Sequence, residues 1–223
     1  MSQRLIGLTG GIATGKSTVS RYLVQTYHIP VLDADIYARE AVEPGSLILT
    51  AIFSKYGNKI KLPDGGLNRQ ALGDIIFNNP EEKVWLETQI HPYVRARFDE
   101  EINRIRAEIL VLVIPLLFEA NLTDMVTEIW VVSCSREEQV KRLKTRNGLN
   151  EEQAIARINS QFSLEKKKAA ADIVLENNSD LDTLYQQIDA AFNNYSNERC
   201  GEDRDKGLKP LVSDTCLEKL NKL

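Results

Sequence analysis

Along this chain, short runs of consecutive apolar residues alternate with longer stretches in which apolar residues recur every three or four positions. The first pattern predicts buried strands and the second amphipathic helices. Five runs read as strands, at residues 4–9, 30–33, 109–114, 128–133 and 172–176. The third, Ile109-Leu110-Val111-Leu112-Val113-Ile114, is apolar on both faces, as a parallel strand covered on both sides must be. Strands alternating with helices predict an α/β fold with a five-stranded parallel sheet and right-handed crossovers. Ligands of such a sheet sit outside the carboxyl ends of its strands. The chain carries no internal repeat.

Two connections are too long to be simple crossovers. Residues 36–106 hold four helical patterns, at 38–56, 69–78, 81–90 and 93–106, with a turn signal at Pro63-Asp64-Gly65-Gly66. This segment reads as an inserted helical unit that covers a substrate. Residues 135–168 begin with the capping pattern Ser135-Arg136-Glu137-Glu138, and Asn147-Gly148 ends the first helix before Asn150 caps a second. Arg142 and Arg146, four apart, share a face of the first helix, so this hairpin reads as a lid. The core is then 1–35, 107–134 and 169–197, closing with an amphipathic helix at 181–195. The polar stretch 198–223 reads as a disordered tail with a short helix at 216–220.

Composition changes this picture little. A length of 223 residues suits one domain with insertions, and a net charge of −4 gives no support to a nucleic-acid surface. The triplet Lys166-Lys167-Lys168 reads as a solvated helix end, with a hold on nucleotide phosphate as the lesser alternative. Three scattered cysteines argue against a disulfide framework, and the apolar run 109–118 is far short of the ~20 residues of a membrane span. With no signal peptide in view, a soluble cytoplasmic protein is expected, without membrane or nucleic-acid partners.

The chemistry concentrates behind the first strand. Gly10-Gly11-Ile12-Ala13-Thr14-Gly15-Lys16-Ser17 matches G-x-x-x-x-G-K-S and is followed by a helical pattern. Its glycines let successive N–H groups turn toward a phosphate, and the helix start directs its positive end at the same anion. Gly11, Ala13, Thr14, Gly15, Lys16, Ser17 and Thr18 are the candidate nucleotide contacts, with Lys16 reaching the β- and γ-phosphates and Ser17 holding Mg²⁺. Asp33-Ala34-Asp35 ends the second strand. Asp33 is the better candidate for the base that accepts an alcohol proton, while one of the pair, Asp35 above all, is open to a capping role. Arg142 and Arg146 would neutralise charge on a transferring phosphoryl group. His91, before Pro92 at an expected helix start, is open to structural service or substrate contact. Glu119 is open to contact with substrate, contact with Mg²⁺-bound water, or fixing its loop.

Taken together, Leu8-Thr9-Gly10-Gly11-Ile12, Asp33-Ala34-Asp35 with Ala38-Arg39-Glu40, His91-Pro92 and Pro115-Leu116-Leu117-Phe118-Glu119 resemble the dephospho-coenzyme A kinase family. So do Gln139-x-x-Arg142-Leu143-x-x-Arg146, Arg157-Ile158-x-x-Gln161 and Ala171-Asp172-Ile173-Val174. The resemblance spans about residues 4–195. It implies a three-layer P-loop kinase fold and ATP- and Mg²⁺-dependent phosphorylation of the ribose 3′-hydroxyl of dephospho-coenzyme A. It also implies Asp33 as base, the insertion after Asp35 as the coenzyme A-binding part, the arginine hairpin as lid, and Asn177 beside the adenine of ATP. A related kinase of nucleotides or small alcohols is not expected to carry all these motifs together. A GTP-binding switch needs Asn-Lys-x-Asp, which Asn58-Lys59-Ile60-Lys61 fails to supply.

Overall fold

The computed structural model describes residues 3–202. Five parallel strands, β1 (Arg4–Gly10), β2 (Val31–Asp33), β3 (Ile109–Val113), β4 (Glu128–Ser133) and β5 (Ile173–Glu176), form one sheet in the order β2-β3-β1-β4-β5. All five lie where the apolar runs place them. From β1 the chain moves to β2 on one side, and from β3 it crosses to β4 on the other. The chain leaving β1 enters a helix on one face of the sheet while the loop leaving β3 packs Leu117 and Leu122 on the other, which opens a crevice at their carboxyl ends. Register decides what faces that crevice: Val113 pairs with both Leu8 and Asp33, so Asp33 ends level with the last turn of chain before the glycine loop.

Alternation divides the core. Ile6, Leu8, Val111, Val113, Trp130 and Val132 pack under α1 (Lys16–Tyr27) and α9 (Leu181–Glu202), through Val19, Leu23, Leu184 and Ile188. Leu110, Leu112 and Ile114 face the other way, against Tyr37 of α2 (Ala34–Glu40) and Val94 and Phe98 of α5 (Pro80–Arg104). A third cluster, including Leu49, Ile52, Ile60 and Leu72, joins α3 (Leu47–Tyr56) and α4 (Arg69–Asn78) to α5.

The helices of residues 36–106 correct two expectations. The stretch read as one helix over 38–56 is two, because Pro44 cannot donate to a helical ladder and Ser46 starts a new helix by accepting from Leu49 N at 2.9 Å. Conversely, α5 runs unbroken through His91 and Pro92, where a helix start was expected. Leu86, Val94 and Phe98 bury on its inner face while Pro92 is exposed, so packing along the helix outweighs the lost Thr88 carbonyl bond. The other connection forms α6 (Arg136–Asn147) and α7 (Glu151–Asn159) as expected, then a short α8 (Leu164–Ala169). The last helix continues past residue 197 to Glu202 rather than ending at 195. The rest of the expected tail, with the short helix at 216–220, lies outside the described residues.

Replacing Phe98, which is fully buried, with alanine should cost about 3–5 kcal/mol. Pro92→Ala should instead stabilise by about 1–2 kcal/mol, since it restores a helix bond at an exposed position, less the entropy the ring removed from the unfolded chain. Urea unfolding checks both, and a Pro92→Ala variant that loses stability would contradict an uninterrupted α5.

Candidate active site

The glycine loop between β1 and α1 is shaped by what its backbone must do. Gly10 and Gly15 adopt φ of 147° and 108°, where a Cβ would strike the Val132 carbonyl oxygen and the Asn177 side-chain amide. The loop carbonyls turn outward to partners from the β4–β5 half of the molecule. Gln139 Nε2 donates to Ile12 O at 2.7 Å, and Arg142 Nη1 donates to Ala13 O and Thr14 O at 3.3 and 3.2 Å. Asn177 Nδ2 donates to Thr14 O at 2.7 Å, and Gln161 Oε1 accepts from Ile12 N at 2.9 Å. Thr14 is buried and ties its own hydroxyl to Gly11 O. The N–H groups of Ala13, Thr14, Gly15 and Lys16 take no partner among the described residues, and they stand at the start of a helix. That combination is an anion site.

Lys16 folds back over this nest, its Nζ donating to Gly11 O at 2.8 Å and Gly10 O at 3.2 Å. Burial, reinforced by the nearby Lys167 cation, pulls its amine down to about 8, with Arg146 acting in the same direction and Asp35 and Glu119 opposing. Ser17 and Thr18 line the cleft beside it, with Ser17 exposed. Across the crevice, Asp33 ends β2 and caps α2, its Oδ1 accepting from Asp35 N at 2.8 Å. The cap is thus Asp33 and not Asp35, which sits in the first helical turn. The strand ends at Asp33, so strand alternation does not extend to Asp35. Burial raises the Asp33 carboxyl above its ordinary range. The Asp35 N–H, Arg39 and Lys16 work against that rise, and the Asp35 carboxylate adds to it.

Loop, Lys16, Ser17, Asp33 and Asp35 line one open cleft of about 920 Å³. Arg142, Arg146 and Asn177 line it too, in different ways. Arg142 has its guanidinium tied to the loop carbonyls, to Glu138 at 2.9 Å and to Asn177 O at 2.9 Å, so here it buttresses the loop. Asn177, buried, does the same through its amide. Arg146 donates from Nε to Asn147 Oδ1 at 3.0 Å and lines the cleft with no other side-chain bond among the described residues.

The remaining expected contacts lie elsewhere. His91 lines a small separate cavity next to the cleft. Glu119 accepts from Phe162 N and Lys167 Nζ, both at 2.9 Å, and its buried Oε2 has no partner among the described residues. Lys167 corrects the reading of the triplet as a solvated helix end: it is 0% exposed and also donates to Pro115 O at 3.2 Å. Its neighbours do sit near the surface, Lys166 over the Phe162 ring and Lys168 on Glu176. Sequence reasoning gave no role to Gln139 and Gln161, although both stand in the motifs quoted above, because only the fold brings them to the loop. Lys167 left no signal, masked between two ordinary lysines.

Among the described residues no cluster of three or more His, Cys, Asp or Glu could hold a metal. The Ser17 hydroxyl and the two nearby aspartates are hard oxygen donors, a set that fits Mg²⁺ carried largely by a nucleotide's phosphates. No helix among the described residues is long and apolar enough to cross a membrane.

Comparison with known proteins finds relatives in sequence and in fold. The sequence pattern of the dephospho-CoA kinase family matches residues 4–183. The dephospho-CoA kinase of Trichormus variabilis is 60% identical over 193 residues, covering 86% of this chain and 98% of its own. The crystal structure of TT1252 from Thermus thermophilus superposes with a TM-score of 0.75 at 35% identity, over 87% of this chain and 98% of that one. The dephospho-CoA kinase from Campylobacter jejuni gives a TM-score of 0.66 at 28% identity, over 89% of this chain and 100% of its own.

Two outcomes follow from the charges around the loop. A phosphate-bound Lys16 stays protonated, whereas in the free protein it loses its proton above about 8. Nucleotide binding should therefore take up a proton and weaken by up to about tenfold per pH unit above that point. Calorimetric titrations from pH 7 to 9.5 in buffers of different ionisation heat read this, and an affinity flat across that range would contradict it. Lys167→Met leaves the half-buried Glu119 carboxylate without its cation, at a cost of about 2–3 kcal/mol in urea unfolding, and adding Glu119→Leu should recover most of the loss.

Proposed function

This chain belongs to the dephospho-CoA kinase family, and on that premise we propose that it transfers the γ-phosphoryl group of ATP to the ribose 3′-hydroxyl of dephospho-CoA, giving CoA and ADP. The observation that carries the reading is a carboxylate with a raised pKa, Asp33, facing the same crevice as an anion-binding loop and its lysine.

Asp33 already holds the Asp35 N–H with Oδ1, so its second oxygen is left to take the hydroxyl proton. The alcohol oxygen then bonds to the γ-phosphorus as the bond to the β–γ bridging oxygen breaks, and ADP leaves with the electron pair. Little covalent chemistry is asked of the protein, and positioning and charge neutralisation do the rest. Lys16 exchanges the Gly10 and Gly11 carbonyls for the β- and γ-phosphates, and the loop N–H groups hold the β-phosphate. Arg146 supplies an exposed guanidinium from α6, while Arg142 and Asn177 hold the loop's shape and border the nucleotide base. Ser17 would hold Mg²⁺, whose charge would offset that of the transferring phosphates.

Residues 36–106 would cover the acceptor and the α6–α7 hairpin would close over the donor. The surrounding parallel core, from residues 1–35, 107–134 and 169–197, supports both. The same reading has the enzyme work in the cytoplasm, on soluble small-molecule substrates.

Asp33→Asn tests the assignment cleanly, because asparagine caps α2 as well as aspartate does but accepts no proton. Turnover should fall by roughly 10²-fold or more, with ATP affinity within a few-fold of wild type. Near-normal turnover would remove Asp33 from the role of base.

A further inference from the structure

The chain between α7 and α8 touches both walls of the cleft with consecutive residues. Gln161 Oε1 accepts from Ile12 N of the phosphate loop at 2.9 Å, and Phe162 N donates to Glu119 Oε1 of the loop after β3, also at 2.9 Å. Glu119 is fixed in turn by Lys167 of α8, whose Nζ stands 2.9 Å from the same oxygen and donates to Pro115 O at 3.2 Å. One ammonium thus grips both ends of the segment 115–119. Because α8 packs on β4 and Pro115 follows β3, this grip crosses the carboxyl end of β1, where the phosphate loop begins. Thr9 of β1 donates its hydroxyl to the same Pro115 O at 3.3 Å. The mechanism above uses neither Glu119 nor Lys167. Stability does not account for them either, since apolar residues commonly replace a buried ion pair without loss.

We propose that Glu119 and Lys167 are positioning residues that couple the two substrate sites through the root of the α6–α7 hairpin, so that ATP and the acceptor each tighten the hold on the other. The inference rests on the function just proposed, which puts ATP on the phosphate loop and the acceptor hydroxyl at Asp33.

The geometry gives the coupling a path. Both legs of the hairpin stand on one residue of the phosphate loop, Gln139 on Ile12 O at 2.7 Å and Gln161 on Ile12 N. Farther along α6, Arg146 lines the cleft. Phosphates that draw Arg146 inward turn the hairpin about Ile12. Phe162 follows Gln161 directly, so its N–H carries that turn to Glu119. Held at both ends by Lys167, the segment 115–119 then shifts as a unit, as packed elements do. Its Pro115 and Leu116 line the cleft on the side of Asp33, because Val113 pairs with Asp33 across β3 and β2. Linkage makes the effect reciprocal: an acceptor seated against this segment favours the same hairpin position.

The test reads the coupling itself. Calorimetric binding of dephospho-CoA to wild type should tighten about fivefold or more when Mg²⁺ and the non-hydrolysable β,γ-imido analogue of ATP are present at saturation. In Lys167→Met/Glu119→Leu the tightening should shrink to about twofold or less, while affinity for each ligand alone stays within about threefold of wild type. A pair with a merely structural role would instead regain its coupling along with its stability. Glu119→Gln, which leaves an oxygen for Phe162 N, should keep most of the coupling. Three results would overturn the assignment: wild-type binding indifferent to the ATP analogue, full coupling in the double variant, or Glu119→Gln as uncoupled as the double variant, which would lay the effect on charge. Should thermal melts show the double variant unfolded, Gln161→Leu decides in its place, since it cuts the hairpin's tie to Ile12 N, and coupling retained there would also overturn the assignment. Wild type that forms no acceptor-dependent ADP refutes the activity, whereas wild type that turns over without coupling refutes this inference alone.

Discussion

The site depends on one constraint: the carbonyls of Ile12, Ala13 and Thr14 must point away from the phosphate so that the neighbouring N–H groups can point toward it. A loop so turned exposes several polar acceptors to a half-buried surrounding, which is costly unless each is bonded. Gln139, Arg142 and Asn177 meet that need, and Gln161 fixes the Ile12 N–H in the same plane of contacts. The anion nest is therefore no property of the glycine motif alone. It is held by α6, by the turn after α7 and by the residue after β5. The helices that would close over the nucleotide are rooted in the same side chains that shape the loop.

The sheet supplies the second half of the site by register. Because β3 separates β1 from β2 and Val113 pairs with both Leu8 and Asp33, the carboxylate and the loop end up on opposite sides of the same crevice. Asp33 then serves two ends with its two oxygens. One caps α2, and in the proposed mechanism the other takes the acceptor's proton. Partial burial makes that carboxylate a stronger base, and Lys16 across the crevice limits the rise. On the opposite flank the pair of Glu119 with the fully buried Lys167 joins the loop after β3 to α8.

Much of this was legible in the sequence for physical reasons. Strands covered on both faces must be apolar throughout, so β3 and β4 stood out, and the strand–glycine loop–helix order marked the anion site. The place of Asp33 was legible because it ends the second apolar run, beside that loop in such a sheet. The insertion was read less well, because the packing of Leu86, Val94 and Phe98 carries α5 through Pro92, a decision made by tertiary contacts. The loop's buttresses were illegible as such: Gln139 meets Ile12 across 127 residues and Asn177 meets Thr14 across 163. A lysine triplet likewise gives no sign that its middle member alone turns inward. Pairwise distances in the fold, rather than local pattern, hold that information.

The central claim is that crevice, loop and Asp33 together direct a phosphoryl group to one hydroxyl. The most direct measurement is to incubate the protein with Mg²⁺, ATP and dephospho-CoA, follow ADP, and locate the new phosphate on the product by phosphorus–proton correlation NMR. The account predicts acceptor-dependent ADP and a phosphate on the ribose 3′-oxygen alone. A phosphate on the 2′-oxygen, a mixture of the two, or ADP formed without the acceptor would contradict it.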